Sequence, residues 1–139
     1  MKTVVLISCV SMKLPHKALA KDLYISPLFT MNLKYAWILK ADLIYILSAK
    51  YGLVGLEKRI EPYDLTLNTM RSKEIKNWAD KVRKQMEGKI DLTRDEIIFL
   101  AGERYRKYLI PHIKKTKVPL QGLGIGKQLQ YLKNKINAK

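Results

Sequence analysis

Lysine, tyrosine and carboxylate side chains gather in Ser48-Ala49-Lys50-Tyr51-Gly52-Leu53 and Glu61-Pro62-Tyr63-Asp64-Leu65-Thr66-Leu67. Both stretches come soon after the apolar run Leu43-Ile44-Tyr45-Ile46-Leu47. A carboxylate can orient water or stabilise a developing cation, and a tyrosine ring can stack on a base. Asp64 leads the acids because Pro62 and Tyr63 hold it beside the densest part of the set, with Glu61 as a further candidate. Two other segments carry similar groups: Ser8-Cys9-Val10-Ser11-Met12-Lys13, and Ala101-Gly102-Glu103-Arg104-Tyr105. Asp64 and Glu103 are therefore the catalytic candidates, and Ser8, Cys9, Lys13, Lys50, Tyr51, Tyr63 and Tyr105 the substrate-binding ones. The competing reading is a set of surface loops with ordinary turn residues. For Cys9 a buried, inert thiol is the simpler reading, since no histidine is spaced to serve as its base.

Each of these segments needs an element to place it. Thr3–Ile7, Leu43–Leu47 and Glu96–Leu100 are short, apolar and uninterrupted, as expected of strands covered on both faces. Ligands collect at the carboxyl edge of such sheets, where all three segments emerge. Ser26-Pro27 predicts an N-cap with proline in the first turn of a helix running to about Lys40, with Leu33 and Trp37 on its buried face. Arg71–Glu87 repeats Ile75, Trp78, Ala79, Val82 and Met86 at the helical period. Lys17–Asp22 reads as a helical turn, Glu103–Leu109 as a short helix and the stretch ending near Lys135 as the last helix. Val118-Pro119-Leu120 reads as an edge strand, where proline is tolerated. Gly52 and Gly55 are expected in tight turns, and Tyr24, Tyr35 and Tyr45 in the core. Strand alternating with helix predicts one α/β domain over residues 1–139, a three-layer sandwich around a small, mostly parallel sheet with a single core.

Twenty-seven Lys and Arg against twelve Asp and Glu give a formal charge of +15. That is far beyond what solubility requires, and it points to a polyanion, with nucleic acid first. Glu103 is the last acid, and ten Lys or Arg follow it. Lys114, Lys115 and Lys117 are thus phosphate-binding candidates, against the reading of a merely solvated basic tail. Gly122, Gly124 and Gly126 with Lys127 precede a helix and can present backbone N–H groups to a phosphate, although close helix packing explains glycines there equally simply. They form neither a Walker A loop nor a dinucleotide fingerprint. A single cysteine excludes an intramolecular disulfide and suits a reducing cytoplasm. His16 and His112 are too far apart to suggest a zinc or iron site, so neither a metal nor another cofactor is expected. No apolar run approaches the roughly 20 residues of a membrane helix, and nothing points to secretion.

Taken in order, several segments carry a resemblance: Ile7-Ser8-Cys9 with Lys13, Leu23-Tyr24-Ile25-Ser26-Pro27-Leu28-Phe29, Ile46–Val54, Pro62–Leu67, Ala101–Tyr105, and Gly122–Gly126 with Gln128-Leu129. The chain resembles a domain-of-unknown-function family of small bacterial, archaeal and phage proteins. That family is distantly similar to the YaaA-type DNA-binding stress proteins, to a domain of archaeosine synthases and to the uracil-DNA-glycosylase-like fold. The resemblance implies that fold, binding of nucleic acid (DNA before RNA) and removal or handling of a modified base. The chain lacks the GQDPYH water-activating motif and the HPSPLS-type loop of true uracil-DNA glycosylases. Ser8-Cys9-Val10-Ser11 stands where those enzymes carry a carboxylate, so Asp64 would have to substitute from another loop. Two functions follow as expectations: a glycosylase-like enzyme hydrolysing an N-glycosidic bond, or a non-catalytic DNA-binding stress module. A small-molecule nucleotide hydrolase ranks third.

Overall fold

Alternation within the first strand sets the architecture. In β1 (Thr3–Ser8), Val4 and Leu6 point to one face of the sheet and Val5 and Ile7 to the other, and all four are fully buried. A strand apolar on both faces must be covered on both, which requires helices above and below. A computed structural model of the chain describes residues 1–8 and 12–138. After β1 come β2 (Ala18–Leu19), α1 (Ala20–Leu23), α2 (Pro27–Ile38), β3 (Leu43–Ser48), β4 (Gly52–Gly55) and β5 (Arg59–Ile60). The chain continues through α3 (Ser72–Met86), β6 (Glu96–Leu100), α4 (Glu103–Arg106), β7 (Lys115–Lys117) and α5 (Ile125–Asn137).

The central sheet is mixed, in the order β4-β3-β1-β6-β7, with only the β3–β4 pairing antiparallel. From β1 the chain moves outward to β3 and then returns to the other side of β1 as β6. Because crossovers are right-handed, this reversal puts successive helices on opposite faces. The sheet therefore divides the apolar interior into two cores rather than the single one expected. On one side Ile75, Trp78, Val82 and Met86 of α3 cover Val4, Leu6, Ile97 and Phe99. On the other, Phe29, Leu33 and Ala36 of α2 and Leu132 of α5 cover Val5, Ile7, Ile98 and Leu100.

Local signals explain most boundaries. Ser26 caps α2 by accepting the Phe29 N–H at 3.2 Å, and Pro27 occupies the first turn. Trp37, expected inside, is 55% exposed. The buried stripe of α2 runs Phe29, Leu33, Ala36, and the residue after Ala36 is turned about 100° away from it. The expected strand at Val118–Leu120 forms one turn earlier, where Lys115 and Lys117 pair with Glu96 and Ile98. Pro119 has no N–H with which to extend that ladder. Tyr24 and Tyr35 are buried as expected, whereas Tyr45 is only half-buried. Burial, reinforced by the hydrogen bond to Tyr131 that ties α2 to α5, pushes the Tyr35 hydroxyl up to about 12. At the amino edge of the sheet Asp95 accepts the N–H groups of Lys2 (2.9 Å) and Asp91 (2.8 Å), which hold its carboxyl below the usual carboxylate range. Among the described residues no helix is long and apolar enough to cross a membrane.

Candidate functional site

The topology has one switch point, between β1 and β6, where the chain departs in opposite directions from neighbouring parallel strands. Such points leave a crevice at the carboxyl edge. A cleft of about 500 Å³ lies there, bordered by Ser8 at the end of β1 and by Leu100, Ala101 and Gly102 at the end of β6. Its walls are apolar: Phe29 from α2, Phe99 from β6, Leu120 and Leu123 from the loop before α5, and Leu129 from α5. Short polar contacts hold the rim. Gly102 donates its N–H to Ser8 Oγ at 3.1 Å, Arg106 donates to the Ala101 carbonyl at 2.9 Å, and Gln128 donates to the Leu123 carbonyl at 2.8 Å. Met12 and Ile125, both large and apolar, also line the cleft yet are 58% and 68% exposed.

One buried group on the wall of this cleft has no partner among the described residues. Asn32 sits on the buried stripe of α2, is 2% exposed, lines the cleft, and its Oδ1 accepts no hydrogen bond. A buried carbonyl left unpaired costs on the order of 1–3 kcal/mol, so its position is held against a stability cost. The Glu103 carboxylate also lines the cleft, is exposed, and has no ion-pair or side-chain hydrogen-bond partner among the described residues. Gly122 lines it too, with φ at +81°, a conformation that favours glycine. Gly124 precedes α5 as its N-cap, among the described residues no side chain caps the first N–H groups, and Gly126 and Lys127 lie exposed in that first turn.

The stretch after β3 builds something different. Ser48-Ala49-Lys50-Tyr51-Gly52 is a tight hairpin, with Ser48 paired to Gly52 and β4 running back along β3. Gly52, the first residue after the loop, takes φ +76°, a conformation that favours glycine. The buried Ser48 Oγ accepts the N–H groups of Lys50 and Tyr51 and donates to Tyr63 Oη at 2.9 Å. Tyr63 Oη in turn lies 2.6 Å from Tyr24 Oη. Lys13 Nζ stands 4.5 Å from the Tyr63 ring centre, Tyr51 meets that ring edge-on, and Lys50 Nζ lies 5.3 Å from the Tyr51 ring. Beside this cluster Lys13, Pro62, Tyr63 and Asp64 line a more open hollow of about 430 Å³. Met12 borders both the hollow and the cleft.

The structure thus sorts the expected residues into two neighbouring groups. Ser8, Glu103 and Gly122 share the cleft, while Lys13, Lys50, Tyr51, Tyr63 and Asp64 surround the hairpin and its hollow. Asp64 and Glu103 line separate depressions rather than one. Tyr105 borders the cleft, but it is not the open stacking ring expected from its loop. It is 3% exposed, its ring meets Trp78 edge-on at 5.6 Å, and its hydroxyl accepts the Leu67 N–H. Lys114, Lys115 and Lys117 also fall elsewhere. Parallel pairing puts Lys115 beside Glu96, the first residue of β6, so this run starts at the amino edge, away from the cleft, and Lys117 is ion-paired with Glu96 at 3.3 Å. Cys9 lies outside the described residues. Among the described residues no cluster of His, Cys, Asp and Glu is arranged to hold a metal. Sequence reasoning missed Asn32, whose signal is a single amide on the buried stripe between Phe29 and Leu33.

No curated protein and no solved structure matches the chain. A family model described as a family of unknown function, DUF6884, matches residues 4–134, and with nearly its whole length covered the chain belongs to that family.

Proposed function

We propose that the protein binds nucleic acid, DNA before RNA, and receives one unstacked base in the cleft between the ends of β1 and β6, in the manner of a uracil-DNA-glycosylase-like enzyme. The observation that carries this reading is a largely apolar cleft of about 500 Å³ at the switch point, with the buried Asn32 on its wall and the Asn32 Oδ1 without a partner among the described residues. That volume lies in the range of small-molecule sites, apolar walls suit the faces of a heterocycle, and the amide of Asn32 on the wall suits the polar edge of a base. The charge of +15 supplies attraction for the rest of the polymer. In the reaction the bond between C1′ and the base nitrogen breaks with its electron pair leaving on the base. Water adds to C1′, and the proton that water loses ends on the departing base. Glu103 is the carboxylate to orient that water and offset the positive charge on the sugar, because it borders the cleft and Asp64 does not.

The test is incubation with single-stranded and duplex DNA carrying uracil, hydroxymethylated or glucosylated bases, followed by alkali. Strand breaks at one modified base are expected. Glu103→Gln lowers their rate by about 10²–10⁴-fold and Asp64→Asn leaves it within a few-fold. Breaks on no substrate defeat the enzyme reading. A second reading, a non-catalytic DNA-binding module of the YaaA type, draws on the exposure of Glu103, which no neighbour among the described residues pairs or buries. It predicts salt-sensitive binding with no breaks.

A further inference from the structure

A groove of about 530 Å³ runs from the cleft toward the start of α3, and Asn68 and Glu103 line both depressions. Arg71, Arg104 and Lys107 line the groove, all three are exposed, and none has an ion-pair partner among the described residues. Tyr108 forms part of the same wall, with Lys76 Nζ and Lys107 Nζ at 5.4 and 5.5 Å from its ring centre. Among the described residues Glu103, at the junction, is the one acid that lines the groove, and Glu74 lies behind it, accepting the Arg71 N–H at 3.1 Å. Three lining cations against one lining acid, with Lys76 beside Tyr108, in a furrow continuous with a largely apolar cleft, match one chemistry: a heterocycle joined through a neutral sugar to a chain of phosphates.

We infer that Arg71, Arg104 and Lys107, with Lys76, form the track for the sugar–phosphate backbone of the strand whose base enters the cleft. This rests on the base-binding reading of the cleft. The base occupies the cleft and the phosphates occupy the groove, so the sugar connecting them passes the junction, and Glu103 stands beside the glycosidic bond. The lysine-rich run at Lys114–Lys117 plays no part in gripping that strand.

Fluorescence anisotropy with labelled 12-mer single-stranded DNA and RNA, titrated across salt concentrations, tests this assignment. Arg71→Gln/Arg104→Gln/Lys107→Gln lowers affinity at least tenfold at low salt and reduces the slope of log K against log salt by about 2. Lys114→Gln/Lys115→Gln/Lys117→Gln moves the slope by less than half as much. Arg71→Lys/Arg104→Lys retains the parent slope, which shows that charge rather than folding is read. An unchanged slope in the groove variant, or a loss carried wholly by the Lys114–Lys117 variant, overturns the assignment. Binding inorganic polyphosphate as tightly as an oligonucleotide of equal charge also overturns it. Asn32→Leu run in parallel separates the two readings. If it leaves oligonucleotide affinity untouched while the groove variant flattens the slope, the track stands and the base cleft falls. The DNA and RNA arms identify the polymer.

Discussion

Two loop regions at the same sheet edge are built on opposite plans. After β3, the polar groups of the hairpin are matched within the protein. Ser48 serves two N–H groups and a tyrosine hydroxyl, Trp78 donates to the Ser48 carbonyl at 2.8 Å, and Gln85 bridges the Tyr51 carbonyl and the Leu53 N–H. After β1 and β6, the cleft leaves Asn32 Oδ1 unpaired among the described residues and large apolar side chains at its mouth. Satisfied networks hold one conformation, while unsatisfied groups in a cavity are maintained against a stability cost. The hairpin is therefore built as scaffold, and the cleft beside it is the proposed place for a ligand.

The largest effect is expected in the scaffold. A Cβ at Gly52 would collide with Gln85 Oε1 at a position where φ is already positive. Gly52→Ala should destabilise the fold by about 2–4 kcal/mol, combining left-handed backbone strain with displaced Gln85 hydrogen bonds, and urea unfolding checks it. A midpoint near the parent's would mean that Gln85 yields freely and the hairpin is not braced by α3. Next in size, Ser48→Ala strips a buried acceptor from two N–H groups and should cost about 1–3 kcal/mol by the same measurement. Smallest, and of opposite sign, Asn32→Leu removes an unpaired buried carbonyl, so stability should hold or rise by up to about 1–2 kcal/mol. Binding of a base-bearing oligonucleotide should weaken in the same variant. Destabilisation by Asn32→Leu would place that residue in the scaffold and erase the contrast.

The sequence made the scaffold more legible than the site. β1, β3, β6 and α3 are continuous in sequence and carry a period, so burial can be read from residue type alone. β4 escaped notice because Gly52-Leu53-Val54-Gly55 is four residues with glycine at both ends, and β7 because Lys115-Thr116-Lys117 has no apolar signature. Polar strand-end residues were recognised, but not how the topology divides them, since β3 folds back as a hairpin while β1 and β6 open at the switch point. Density of charge along the chain does not show which edge the charges reach, for the same reason. Lys114, Lys115 and Lys117 are neighbours in sequence in a run that starts at the amino edge, whereas Arg71 and Arg104 are far apart in sequence and share a groove.

The most direct measurement is an NMR titration of the labelled protein with a modified or ordinary nucleoside, following the Asn32 side-chain amide together with the backbone amides of Gly102 and Gly122. Saturable shifts concentrated on those three signals, with Tyr63 and Asp64 nearly still, are what a base-receiving cleft predicts. Shifts centred on the Lys13–Asp64 hollow, with Asn32 unmoved, would contradict it.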